Sequence, residues 1–522
     1  SPHLTDTLLV DMVKSFYEHA EHLMEFGVTR HNNWLVVESQ VVASIGGLFP
    51  EYRRAAEWRR EGYARLTAEI TTQVYPDGVQ WELSAGYHAM CGQGFACAYE
   101  LAQLNGIELP PIYAERLRGM FDYIWRLARP DGSSPSHNDS GSVYGFQQDF
   151  VQWGARLFND QTMAWFGSRG ATGTQPTETS HGFVDAGLLV TRSSWDAGAR
   201  WALFDAAPFG AAHQHEDALG FEIAADNTLF LCDPAISSYM LEQWTYHQRD
   251  TTAHNTIMLD GRSQARRTNE TQAQHVRSVR DEIFWATGAG ADVARARYTA
   301  GYRELAGQFV HERAFIFVRP DYWLLFDEVR AEEGDEERHL IESLFHFMPM
   351  RLQLDPASGR VRTYRQNKPN LELIPLGQGR GLNARIVCGQ HDPVQGWVSL
   401  DRENIPAPCV ILSKRTRLPF RMGLALCPYA TGVNAGVTTR RLQARGDALA
   451  YELRHADGRS DLVCYRWREE GEPMRFAGYE TDGWLALVRR DVAGNDVATT
   501  IAGGTALTRS GREARPEVLR YE

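Results

Sequence analysis

A chain of 522 residues is long enough for two or three domains that each bury a core. The formal net charge of −12 argues against a nucleic-acid binder, which would show a basic footprint, although a cleft can still be locally basic. The 14 Trp, 20 Tyr and 23 Phe exclude a disordered chain and suit a protein that stacks sugar rings, though large β-rich cores use them equally.

From Thr5 to about Trp165 the apolar period is helical. Leu9, Val13, Phe16, Ala20 and Leu23 recur at three- and four-residue spacing, as do Trp58, Gly62, Leu66 and Ile70. Further helices are expected over 34–45, 87–104, 113–127 and 146–158. Gly46-Gly47, Pro76-Asp77-Gly78, Pro110-Pro111 and Pro130-Asp131-Gly132 break the stretch into helical hairpins. Near Gly170 the composition turns to Gly, Thr, Gln and Pro, and from Phe183 the period becomes two. Residues 201–205, 219–223, 309–318, 322–328 and 340–347 read as strands, and beyond about Leu371 the strands shorten between turns such as Ala456-Asp457-Gly458. Helices first and strands afterwards give an α+β multidomain chain, divided as 1–168, 169–370 and 371–522.

Three polar stretches stand out in the helical half. Arg30-His31-Asn32-Asn33-Trp34 opens a helix, where capping uses one Asn and leaves a surplus. Residues 76–88 run from a turn through Glu82 to Tyr87 and His88 at the next helix start; Tyr87 reads equally well as a core tyrosine. The loop Ser136-His137-Asn138-Asp139-Ser140-Gly141 is either a cleft lining or a solvated turn.

The densest stretch is 212–260. His213-Gln214-His215-Glu216-Asp217 leads into Leu219, Phe221 and Ile223 at strand period, which places His213 and His215 on one face. Asp233-Pro234 marks a turn, Tyr239, Tyr246 and Arg249 follow, and Ala253-His254-Asn255-Thr256 opens another apolar run. Imidazoles and a carboxylate on neighbouring strands suit one divalent ion. Arg262, Arg266, Arg267, Arg277 and Arg280 form either a sulfate-contacting strip or a solvated loop.

Taken in order, His-Asn-Asn-Trp, Asp-Gly-x-x-Trp-Glu-x-x-x-Gly-Tyr-His, His-x-His-x-Asp, Asp233-Pro234 and Ala-His-Asn-Thr resemble the heparinase II/III-like superfamily of polysaccharide lyases. The resemblance implies an N-terminal (α/α) toroid followed by stacked antiparallel β-sheets. Such a toroid has more hairpins than precede Trp165, so the ring is expected to be incomplete in this chain or unusually open. It also implies β-elimination on a uronic-acid polysaccharide of the glycosaminoglycan type, with oligoalginate lyase or uronyl C5-epimerase as the alternatives.

In that scheme Asn33 neutralises the uronate carboxylate, Tyr87 carries the proton at O4, and His213 takes the C5 proton in one sugar configuration; Tyr239 and Tyr246 are further proton donors. His31, Asn32, Trp34, Glu82, His88, His137, Asn138 and Arg249 are the expected sugar-binding side chains. The resemblance further assigns His215, Asp233 and His254 to a divalent metal, zinc before manganese, in a structural more than a catalytic role. Expected partners are an acidic polysaccharide or oligosaccharide, no nucleic acid and no membrane span, with a homo-oligomer left open. Seven scattered cysteines, Cys91, Cys97, Cys232, Cys388, Cys409, Cys427 and Cys464, favour a reducing compartment, whereas polymer-degrading relatives are often periplasmic. No signal peptide is visible, but the chain begins at Ser1 without Met.

Overall fold

The helical period of the first third produces seven helices among the described residues: α1 (Asp6–Phe26), α2 (Asn33–Leu48), α3 (Ala55–Gln73), α4 (Ala85–Leu104), α5 (Pro111–Leu127), α6 (Phe146–Phe158) and α7 (Gln161–Gly167). The structure, a computed structural model, describes residues 5–27, 30–141, 146–240, 242–377, 381–430 and 436–521. It divides into two units. The first holds Ser1–Ala128, Gly132–Pro176 and Gly210–Gln214; the second holds Arg129–Asp131, Thr177–Phe209 and His215–Glu522.

In the first unit the local signals act as their chemistry dictates. Thr5 caps α1 by accepting from the Leu8 N–H, Asn32 caps α2 by accepting from the Trp34 N–H at 2.9 Å, and Pro111 occupies the first turn of α5. Gly46-Gly47 is not a breaker. It lies inside α2, where bare backbone lets α3 approach: a Cβ on Gly46 would meet Ala55 O at 2.6 Å, and one on Gly62 would meet Ala43 N at 2.5 Å. Ala20, Val42, Ile45 and Trp58 are buried together beside them. No helix among the described residues is long and apolar enough to cross a membrane.

The second unit is built from antiparallel sheets. Strands β1 (His181–Phe183), β2 (Leu188–Arg192), β3 (Trp201–Asp205), β4 (Phe221–Ala225) and β5 (Thr228–Leu231) form a five-stranded meander. An eight-stranded sheet includes Phe309–Val318 and Tyr322–Ala331, paired from Tyr322↔Val318 to Ala331↔Phe309. A six-stranded sheet and a second five-stranded sheet follow between Thr438 and Leu519. Three apolar seams join these layers. Phe204 of the meander stacks on Phe315 of the eight-stranded sheet at 5.6 Å, and Phe326 on the opposite face stacks on Tyr465 of the six-stranded sheet at 4.6 Å. Cys464, one residue before Tyr465, faces Met474 and Phe476 of the last sheet.

Two expectations are corrected. Residues 213–219 are not strand: His213 and Leu219 have φ of 65° and 62°, the strand begins at Phe221, and His213 and His215 share no sheet face. The boundary expected at 370/371 falls inside the eight-stranded sheet, where Arg360–Thr363 pairs with Asn370–Pro375 and that strand pairs with Phe420–Tyr429.

Candidate active site

Within the first unit, the start of α2, the turn before α4, the 136–140 loop and the 210–214 segment bring one polar group together. Asn33, only 3% exposed, donates through its backbone N–H to Glu82 Oε1 at 2.8 Å and through Nδ2 to Glu82 Oε2 at 3.1 Å. Glu82 is buried, and its own N–H donates to Gln80 Oε1 at 2.9 Å, so backbone and side chain are both fixed. His213 Nδ1 lies 2.9 Å from Asp139 Oδ2, and the Asp139 N–H donates to His213 O at 3.1 Å. His213 Nε2 stands 3.7 Å from Glu82 Oε2. Tyr87, at the start of α4, stacks on the His213 ring with centroids 3.6 Å apart and planes 11° apart.

This geometry has a chemical consequence. Asp139 accepts the Nδ1 proton, so the neutral imidazole carries its lone pair on Nε2, the form a general base needs. Glu82 uses one N–H of the Asn33 amide and orients the other. Tyr87 and His213 are half-buried, whereas Asn33, Glu82 and Asp139 are buried; a stacked phenol and imidazole therefore rest on a polar floor. In the sequence Asp139 is only one member of a polar loop. Nothing local in the sequence reveals that a residue 74 positions later rests on it.

The other expected residues of this unit divide. His31 Nδ1 pairs with Glu69 Oε1 at 2.9 Å, and the exposed Trp34 ring lies under the Arg30 guanidinium at 4.6 Å. Asn138, with φ of 54°, donates to Leu83 O at 2.8 Å, and His137 Nε2 lies 3.1 Å from the Tyr123 hydroxyl; both side chains brace the floor. His88 is a correction. It is buried, its Nδ1 accepts from the Gln80 N–H at 3.2 Å and its Nε2–H donates to Met120 O at 2.9 Å, which occupies both ring nitrogens with backbone. Burial holds its pKa down at about 4.

In the second unit, His215, Asp233 and His254 offer ligand atoms all within 4.8 Å of one another. His254 Nδ1 lies 2.8 Å from Asp233 Oδ2, while its buried Nε2 has no hydrogen-bond partner among the described residues. Burial opposes a charge on His254, but Asp233, Asp217 and Asp250 outweigh it and raise the pKa to about 9. Two imidazoles and a carboxylate in a field that favours positive charge fit a divalent cation such as zinc. Asn255 fixes the frame: it donates to Phe221 O at 2.7 Å and Cys232 O at 3.0 Å and accepts from His346 N at 2.6 Å. Arg266 supports the His215 carbonyl at 2.9 Å.

Tyr239 and Tyr246 belong to this unit and are 53% and 62% exposed, with the Arg249 guanidinium 5.6 Å from the Tyr239 ring. Of the five arginines of the expected strip, Arg267 is exposed beside the Phe209 ring and the other four are paired. Arg266 is buried against Asp217 at 2.7 Å, Arg262 meets Glu304 at 2.6 Å, Arg280 meets Asp185 at 2.6 Å, and Arg277 pairs with Glu282.

Comparison with known proteins matches residues 1–165 to the model "Heparinase II/III N-terminus" and residues 175–417 to "Heparinase II/III-like, C-terminal". The chain belongs to the heparinase II/III-like family. A heparin-sulfate lyase from Bacteroides stercoris is 26% identical over 349 residues, covering 65% of this chain and 50% of that protein. One from Pedobacter heparinus is 29% identical over 345 residues, covering 64% and 49%. The chain thus spans about half the length of these curated heparinase relatives. Among solved structures, a heparinase III superposes with a TM-score of 0.75 at 22% identity over 89% of this chain and 70% of that one. A mutant heparan sulfate lyase from Pedobacter heparinus gives 0.74 at 23% identity over 88% and 70%. These neighbours establish the fold, helices followed by stacked antiparallel sheets, as that of heparinase III.

Proposed function

We propose that this chain is a polysaccharide lyase that cleaves uronic-acid glycosaminoglycans, of the heparin or heparan sulfate type before hyaluronan or chondroitin, by β-elimination. The single observation that carries the reading is the stacked Tyr87–His213 pair on a floor of Asn33, Glu82 and Asp139. The C5 proton of a uronate is weakly acidic until its carboxylate is neutralised, and the Asn33 amide held by Glu82 supplies a fixed donor for that. His213 Nε2 then accepts the C5 proton, while the Tyr87 hydroxyl gives its proton to the departing O4. For the opposite C5 configuration Tyr87 serves both steps. Tyr239 and Tyr246 are secondary donor candidates, and Arg249, His31 and Trp34 are substrate contacts.

His215, Asp233 and His254 would hold one divalent ion, zinc first. Bound there, it would neutralise the local carboxylates and brace the segment that carries these ligands. A glycoside hydrolase needs two carboxylates free to act on either side of the scissile bond, whereas Glu82 and Asp139 are buried and engaged by Asn33 and His213. The names of the curated relatives support the heparin-type substrate.

The test is a panel of heparin, heparan sulfate, hyaluronan, chondroitin sulfate and alginate, read by ultraviolet absorbance of the new C=C and by product size. Absorbing, shortened products from a sulfated glucosamine polymer are expected. Unchanged chain length with C5 inversion would assign an epimerase instead, and absorbing products from alginate alone would move the substrate class.

A further inference from the structure

The two family matches end at residue 417, yet the chain continues through two more sheets. There Thr438–Leu442 forms an edge strand of the six-stranded sheet and Ala444–Arg445 an edge strand of the last five-stranded sheet, with Gln443 alone between them. A groove of about 1100 Å³ opens at this step, lined by Arg441, Arg445 and Arg475 against a single acid, Glu480. A second groove, of about 760 Å³, shares Arg441, Ala444 and Ala448 with the first and adds Lys414, Arg421 and Arg440 against Asp447. Together they exceed the roughly 300–1,000 Å³ of an ordinary small-molecule site and run as one track.

On this track Arg421 is paired with Glu328 and Asp447, Arg440 with Glu452 and Arg475 with Glu480, which leaves the guanidinium groups of Arg441 and Arg445 uncompensated. Arg445 sits directly opposite Arg475 across the antiparallel pair, an arrangement of like charges that is unfavourable on its own. Arg475 is offset by Glu480 at 2.8 Å, but the exposed guanidinium groups of Arg441 and Arg445 make no hydrogen bond or ion pair with any described residue. Such a concentration of arginines, in a chain of net charge −12, is a local reversal of sign. Arginine presents paired donors that match a sulfate group.

We propose that this track is a second binding site for the sulfated polysaccharide, holding a stretch of the chain other than the one being cleaved. The inference rests on the lyase reading for its ligand class but not for its readout. None of its lining residues belongs to the His213 cluster.

The experiment compares the full chain with its Arg441→Glu/Arg445→Glu variant, both at exposed positions, after a thermal melt confirms that each is folded. Binding of size-defined long heparin chains is measured on a His213→Ala background, so that no turnover is needed. The variant should bind long heparin about tenfold more weakly at about 0.1 M salt, with a shallower salt dependence. In the active protein KM for polymer should rise while turnover of a heparin tetrasaccharide stays the same. Unchanged long-chain affinity would overturn the proposal, as would equal binding of unsulfated hyaluronan to the wild-type track. Loss of binding with no ultraviolet product from any substrate would uphold the track and sink the lyase reading, so the two failures are distinguishable.

Discussion

Replacing Asp139 by Asn tests the arrangement most directly, because the two side chains have the same shape and differ in what they do to His213. The carboxylate accepts the Nδ1 proton at 2.9 Å and is buried, so water does not stand in for it. An amide that turns its NH2 toward Nδ1 forces the ring proton onto Nε2 and removes the lone pair that faces the substrate. An amide that turns its oxygen keeps the tautomer but loses the negative charge beside the imidazolium formed on proton abstraction. That charge is worth about 4 kcal/mol at 4 Å and an effective dielectric of 20, which corresponds to roughly three decades of rate. The usual span for a positioned general base, about 10²- to 10⁴-fold, brackets this figure. Initial rates followed by ultraviolet absorbance should therefore show kcat down about a thousandfold with KM little changed and the thermal midpoint retained. A variant within about threefold of the parent kcat would refute the claim that Asp139 fixes the tautomer of His213 and supports proton abstraction by it.

Tyr87→Phe keeps the ring that stacks on His213 and removes only the hydroxyl; kcat should fall at least about a hundredfold while oligosaccharide affinity, measured by calorimetry, is retained. Exhaustive chelation, or His254→Ala, should lower the urea midpoint and the activity together, since one ion would brace ligands from three separate segments; a chelated protein with an unaltered midpoint would remove the structural role of the metal. His88 gives a pH dependence of defined sign: its folded-state pKa of about 4 lies below the ordinary 6.5, so the stability it contributes is complete above pH 6.5 and is lost as pH falls toward 4. The loss amounts to about 3 kcal/mol. Urea unfolding at successive pH values should show a His88→Gln variant with a correspondingly flatter acid limb, and parallel curves would count against it.

Some of this architecture could be read from residue order and some could not. The helices were legible because α5 and α6 each bury one stripe, and strands such as Phe309–Val318 because aromatic and β-branched residues crowd them. The irregular path of 213–219 was not. Its alternating apolar residues mimic a strand, and only the left-handed backbone at His213 and Leu219 turns the two histidines to different tasks. Asn33, Tyr87 and His213 were singled out through motif resemblance, since each alone is an ordinary helix-start amide, core tyrosine or loop histidine; that they share one cluster is visible only in three dimensions. Asp139 escaped because its role exists only after the 136–140 loop meets the 210–214 segment. In the 262–280 stretch the sequence leaves open which arginines are available, and folding pairs Arg266, Arg262 and Arg280 with Asp217, Glu304 and Asp185 while Arg267 stays exposed.

The central strands of the six-stranded sheet are buried on both faces, so polarity gives them little help in choosing partners. Size does the sorting instead. Tyr465, Leu485 and Leu487 fill one flank, whereas Ala450, Cys464 and Ala486 fill the other. At these positions a slip of one residue would exchange bulky for slender side chains, opening voids on one flank and collisions on the other. Registration by volume makes this region tolerant of polar change at its rims and intolerant of even a single added methylene inside.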